Sequence, residues 1–422
     1  MKERILNSRK VLEEILDSGL AIYGVNTGFG ALAKVRISKG EQEKLQLNMI
    51  RSHSAGVGKP LPREIVRATM LLRENTFARG NSGVRLEVLE TLVEMLNKGV
   101  HPIVPEKGSV GASGDLAPLA HIALVMVGEG KAEYEGEILS GKDALKKAGI
   151  KPLRLRAKEA MALINGTQLM TAIAALSVHD AEKLIKTAEI AAALSLEALN
   201  GVFDAFEERV HRLRPHTGQI LTARNIRRLI KGSKLILSGQ EASSKFGYPH
   251  DPYTLRCIPQ VLGAARDTIS HARQIIETEI NSVTDNPLVF SEDRTCVSAG
   301  NFHGQPVAVA MDMLGIAMTI IGGFSERRIA RLLDEKLNRG LPPFLVPKEV
   351  KEGLNSGFML AQYTAAALAS ENKVLAHPAS IDSIPTSANF EDYVSMGATA
   401  ARKAMDIIEN TWRILAIELL CA

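Results

Sequence analysis

One stretch constrains this chain more than any other. Residues 161–199 contain a single glycine, Gly166, and no proline, with apolar residues recurring at three- and four-residue spacing. That pattern predicts one long helix of several turns. The same spacing predicts helices over 41–53, 62–75, 84–98, 258–283 and 305–337, and a last long one over 392–420. Residues 1–20 read as a charged helix and not as a secretory signal. Aromatics make up only 4% and alternating strand patterns are scarce, although 131–140 reads as a small surface hairpin. The expected fold is mainly α: an elongated bundle of long, near-parallel helices. No repeat, low-complexity linker or boundary interrupts the pattern, so a single domain over 1–422 is the simplest reading. Long helices that bury two faces also point to oligomerisation.

Glycine, serine, asparagine and proline concentrate at 24–30, 108–114, 298–304 and 376–389. These are loops at helix ends, where a rigid scaffold usually carries its chemistry.

Several functions are set aside by what the chain lacks. Its 51 basic and 47 acidic residues leave a formal charge of +4, with no sign of a nucleic-acid partner. The basic run Arg224, Arg227, Arg228, Lys231 and Lys234 has no interleaved aromatics and reads as a solvated helix face. Cys257, Cys296 and Cys421 are scattered, which favours neither a disulfide framework nor a zinc site and fits a reducing cytoplasm. No apolar run reaches the roughly 18 residues of a membrane span; the longest, 311–324, contains Asp312 and reads as a buried helix. Gly24-Val-Asn-Thr-Gly-Phe-Gly30 lacks the Lys-Ser/Thr of a phosphate loop. HExxH and GxSxG are absent.

The segment Gly108-Ser-Val-Gly-Ala-Ser-Gly-Asp-Leu-Ala-Pro-Leu-Ala-His121 stands apart. Small residues precede Asp115, which reads as the N-cap of a following apolar helix. The segment resembles the signature of the aromatic amino-acid ammonia-lyases and their aminomutase relatives. Further blocks similar to that family follow in order: Tyr23-Gly-Val-Asn-Thr-Gly-Phe-Gly30, Ser52-His-Ser-Ala-Gly-Val-Gly58, Asn165-Gly-Thr-Gln168, Asp251-Pro-Tyr-Thr-Leu-Arg-Cys257, Thr284-Asp-Asn-Pro287, Gly300-Asn-Phe-His-Gly304 and Ala369-Ser-Glu-Asn-Lys373. The resemblance covers essentially the whole chain, which reads as short at both ends beside the family.

The resemblance implies a carbon–nitrogen lyase acting on a small-molecule amino acid. Ala112, Ser113 and Gly114 would cyclise to 4-methylideneimidazol-5-one, an electrophile needing no added cofactor or metal. Ala112 and Gly114 obstruct the compressed ring closure least, and Ser113 has a hydroxyl to lose. Tyr23 is implied as the base at the β-carbon or its adjunct, a role that requires a phenol pKa depressed by neighbours; packing on Phe29 is the plainer alternative. Arg256 would hold the substrate carboxylate in a bidentate grip. Asn165 would lie near that carboxylate, Tyr253 would assist proton transfer, and Phe302 would pack beside the electrophile. Ser52-His53 and Glu371 resemble the histidine enzymes of the family and imply elimination of ammonia from L-histidine to give trans-urocanate. A phenylalanine or tyrosine lyase or aminomutase, and a non-catalytic relative, are the alternatives. The family also implies a homotetramer with shared active sites, without nucleic-acid or membrane partners.

Some positions depart from the pattern. His250 and Ile258 stand where glutamine is usual, and Asn389-Phe-Glu-Asp-Tyr393 replaces a more polar Asn-Gln-Glu-Asp-His. His250 and Phe390 are therefore further candidates for substrate contact.

Overall fold

The computed structural model describes residues 1–351 and 353–422. Among them are sixteen α-helices and seven short strands. The first half holds α1 (Lys2–Asp17), α2 (Gln42–His53), β1 (Val57–Pro60), α3 (Arg63–Ala78), α4 (Leu86–Lys98), β2 (His101–Pro102) and β3 (Pro105–Lys107). Then come α5 (Leu116–Met126), β4 (Lys131–Tyr134), β5 (Glu137–Ser140), α6 (Gly141–Lys147), α7 (Glu159–Ile164) and α8 (Gln168–Ala198). The second half holds α9 (Glu208–Arg212), α10 (Thr217–Leu229), α11 (Gly239–Phe246), α12 (Tyr253–Arg256), α13 (Ile258–Ile280), β6 (Leu288–Phe290) and β7 (Thr295–Val297). It ends with α14 (Gln305–Leu333), α15 (Met359–Leu375) and α16 (Gly397–Cys421). The mainly α reading holds, and 131–140 is the expected hairpin, with β2 added as a third strand.

The chain divides into two compact units. Unit 1 comprises Met1–Leu176, Ile275–Val309 and Pro378–Arg402; unit 2 comprises Ser177–Gln274, Ala310–His377 and Lys403–Ala422.

In unit 1 the apolar stripes read from sequence face inward. Helix α4 buries Val88, Leu89, Leu92 and Met95 and stops at Gly99, which takes the left-handed conformation of a helix end. Helix α5 is apolar all round and buried on nearly every side, as such a helix must be. A core of Val11, Leu12, Ile22, Val25, Ala157 and Val289 packs α1 against the start of the chain's first loop and β6.

In unit 2 the fully buried Arg328 donates to Glu418, with Nη2 at 2.8 Å from Oε2 and Nε on Oε1. Ser195 Oγ donates to Glu418 at 2.7 Å and Ser325 Oγ at 2.5 Å. Four hydrogen bonds thus satisfy one buried carboxylate, which is what a charge inside a protein requires.

Three expectations need correction. The single helix over 161–199 is broken into α7 and α8, because Gly166 (φ +131°) turns its backbone out of helical register to pair with residues 113–115. The last helix begins at Gly397 and not at 392; residues 390–396 form a loop in which Met396 N–H donates to Val110 O at 2.9 Å. Finally, α14 is, by length and composition alone, long and apolar enough to cross a membrane, and 61% of an 18-residue apolar stretch within it is buried inside the protein. Val307, Ala308, Val309 and Ala310, directly before 311–324, lengthen the apolar run.

Candidate active site

The turn around Ser113 is built by glycine. Gly108, Gly111 and Gly114 all have positive φ, and so does Ser113 at +51°, a conformation costing a non-glycine residue roughly 1–2 kcal/mol. Gly111 faces Gly114 across the turn, and Gly114 pairs with Gly166. Gly166 N–H donates to Ser113 O at 3.0 Å, and Asp115 N–H donates to Gly166 O at 2.8 Å. A β-carbon on Gly111 would stand 2.1 Å from Ser395 Oγ. Ala112 rests on Val394 and Met396. The turn is held from both sides and has no room for larger residues.

Asp115 anchors it from below. Its carboxylate is fully buried, accepting from Met170 N–H at 2.8 Å and from Ser109 Oγ at 2.8 Å. Gly111 N–H in turn donates to Ser109 Oγ at 3.3 Å. Burial pushes the Asp115 carboxyl up to about 6, against the pull of these hydrogen bonds and of Arg73. Asp115 does not cap α5, although its place in the sequence suggests that it would. It stands at the N-cap position of α5, but its side chain makes no cap bond there. It caps the first turn of α8 instead, where free N–H groups and the helix dipole favour an anion.

Ala112 and Ser113 open onto a cavity of about 530 Å³, also lined by Tyr23, Asn286, Phe302 and His303, residues 298–300 and residues 390–393. The Tyr23 hydroxyl accepts Gly30 N–H at 2.9 Å. Its ring stacks on Phe390, with centroids 6.3 Å apart and planes inclined by 16°. Phe29, the partner considered from sequence, instead meets His53 edge-on at 6.2 Å. Burial pushes the Tyr23 phenol above its ordinary range; Gly30 N–H lowers it and nearby Glu391 raises it. The depression that an easy base needs is therefore absent in this environment.

His53 and Asn165 are not among the residues lining this cavity. His53 Nδ1 lies 2.8 Å from Met49 O. A carbonyl only accepts, so Nδ1 carries the proton and Nε2 the lone pair in the neutral ring. Burial lowers the His53 pKa and favours that neutral form. Asn165 ends α7 and is buried, with Nδ2 donating to Met161 O at 3.1 Å. The Asn165 backbone carbonyl accepts from the buried Arg73, which also donates to Ala162 O at 2.8 Å.

The remaining sequence candidates lie in unit 2. Tyr253 and Arg256 bracket the short helix α12, with the Arg256 guanidinium 4.7 Å from the Tyr253 ring centroid. With His250 they line a cavity of about 540 Å³. Glu371 is exposed on α15 and accepts Asn410 Nδ2 at 3.1 Å.

The family model for aromatic amino acid lyases matches residues 1–422. The chain belongs to the aromatic amino acid lyase family. This lyase is 56% identical over 421 residues to the histidine ammonia-lyase of Caldanaerobacter subterraneus subsp. tengcongensis, spanning all of this chain and 81% of that protein. Its structure superposes on the tyrosine aminomutase of Streptomyces globisporus with a TM-score of 0.94 at 42% identity, covering 100% of this chain and 82% of the other. The histidine ammonia-lyase of Trypanosoma cruzi gives 0.89 at 45%, covering 99% and 77%.

Ser109, Asn286, Asp285 and His303, in or near this lyase's cavity, went unassigned in the sequence. Ser109 precedes the turn, and nothing in its spacing marks it. Asn286 belongs to a family-like block, and its Oδ1 accepts Ala299 N–H at 2.8 Å, tying the 298–300 loop down. Next to it, Asp285 forms a fully buried ion pair with Lys158 at 2.6 Å. His303 stacks on Tyr393 with centroids 6.0 Å apart.

Proposed function

We propose that this lyase eliminates ammonia from L-histidine to give trans-urocanate, with an electrophile made from Ala112, Ser113 and Gly114. The observation that carries this reading is the compressed turn. A left-handed Ser113 sits between glycines that face one another, and the pairing with Gly166 leaves no space for a β-carbon at Gly114. That arrangement fits closure of the Gly114 nitrogen onto the Ala112 carbonyl carbon. Closure releases one water, and loss of the Ser113 hydroxyl with its α-hydrogen releases a second. The resulting 4-methylideneimidazol-5-one would supply an electrophilic methylene.

The chain's own groups then divide the remaining work. Tyr23 faces the same cavity and is the residue for proton transfer at the β-carbon; its raised pKa means that a phenolate must form at alkaline pH or on substrate binding. Arg256 binds the carboxylate through its planar fork, with Tyr253 beside it. Phe302 excludes water near Ser113. His53 and Glu371 recognise the imidazole and the departing ammonium, Asn165 steadies the carboxylate end, and the relatives named histidine ammonia-lyase support this substrate. We further propose a single ammonia-lyase domain, a homotetramer with shared active sites, and a cytoplasmic location.

The test is incubation of purified protein with L-histidine, L-phenylalanine and L-tyrosine in parallel. The near-ultraviolet product must form from L-histidine. Turnover of the other two without histidine would replace the substrate, and turnover of none would favour a non-catalytic relative.

A further inference from the structure

We propose that Phe390 and Tyr393 are specificity-determining residues that hold the substrate's side chain by stacking, so that this cavity selects a flat ring. The inference rests on the cavity being the active site of the proposed lyase.

Each ring is one member of a near-parallel aromatic pair: Phe390 with Tyr23, inclined by 16°, and Tyr393 with His303, inclined by 15°. All four side chains line the one cavity that opens over Ala112 and Ser113. Phe390 is 57% exposed and Tyr393 59%. Each is therefore supported on one side and still presents aromatic surface, a poor arrangement for a residue whose purpose is core packing.

The segment carrying them is fixed in advance. Ser387, Ala388 and Asn389 take three successive left-handed conformations, a strain that clusters at ligand-binding positions. The turn is closed by Thr386 N–H to Glu391 O at 2.9 Å and Thr386 Oγ1 to Glu391 Oε2 at 3.0 Å. Just beyond, Val394 N–H donates to Ser383 Oγ at 3.0 Å. A rigid aromatic surface loses little entropy on binding. Glu391 and Asp392 lie between Phe390 and Tyr393 in sequence and line the same cavity. Stacked rings next to carboxylates suit a flat side chain that can carry positive charge, and an imidazole is one.

The test compares ligands of one size that differ in flatness. Binding of trans-urocanate, trans-cinnamate and trans-3-cyclohexylacrylate is measured by calorimetry on the intact protein, which needs no turnover. Wild type should prefer the two flat acids. Phe390→Leu and Tyr393→Leu keep apolar bulk and should each weaken both flat acids by roughly threefold to tenfold, leaving the cyclohexyl acid within twofold. Phe390→Tyr should restore urocanate binding. With L-histidine, Phe390→Leu should raise KM more than it lowers kcat. An equal loss for flat and puckered acids would mean a structural role and overturn the proposal, as would unchanged urocanate binding in both variants. Absence of urocanate formation by wild type would count against the lyase reading instead, with the flat-ring preference still read from binding.

Discussion

Gly114 and Gly166 lie backbone to backbone, so close that a β-carbon on Gly114 would stand 2.1 Å from the Gly166 carbonyl oxygen. Two short segments far apart in sequence are thereby locked together, and Ser113 is held between them in a left-handed conformation. The fold holds this turn tightly against the backbone at Gly166.

Gly114→Ala should prevent ring formation. The new methyl meets backbone on Gly166 at a residue with φ +81°, so the turn must open. Intact-protein mass should match the unmodified sequence, and the melting temperature should fall by several degrees.

Asp115→Asn gives a pH signature. The folded-state carboxyl sits at about 6 against an ordinary 3.8. A raised carboxyl favours the protonated folded form, so its stabilising contribution is present below about 4 and is lost as pH rises through about 6. Wild type should therefore gain stability relative to Asp115→Asn as pH falls from 7 to 4, by on the order of 1–3 kcal/mol. Melting both proteins across that range cancels the other titrating groups. A pH-independent difference would contradict the assignment.

Glu418→Ala removes the partner of a fully buried guanidinium and strands two serine hydroxyls. The loss should be about 3–5 kcal/mol, read as a large drop in denaturation midpoint. Glu418→Gln should lose less.

Tyr23→Phe removes the hydroxyl that accepts Gly30 N–H. Ring formation should survive, with the mass deficit intact, while kcat falls by about 10²–10⁴-fold. Because burial holds the phenol above its ordinary range, wild-type kcat should keep rising with pH into the alkaline range. A rate already level at neutral pH would assign the base elsewhere.

The helices were legible because period and burial agree: Val88, Leu89, Leu92 and Met95 lie on one stripe in the sequence and in the core. The break at Gly166 was not, since one glycine in a helical pattern is ordinarily tolerated and only its pairing with 113–115 shows why it is needed. Asp115 read as a local cap because local capping is the default; the helix it does cap begins fifty-three residues later. Tyr23, Ser113 and Phe302 were legible through family-like blocks and share a cavity. His303 and Ser109 lie in such blocks too, but their roles were not legible, because stacking on Tyr393 and bonding to Asp115 depend on how distant loops meet.

The most direct test is the mass of the purified, intact protein. A deficit of two waters, mapped to the peptide bearing Ala112, Ser113 and Gly114 and absent in Ser113→Ala, is the expected result. A mass equal to that of the unmodified sequence would contradict the claim that this turn makes the electrophile.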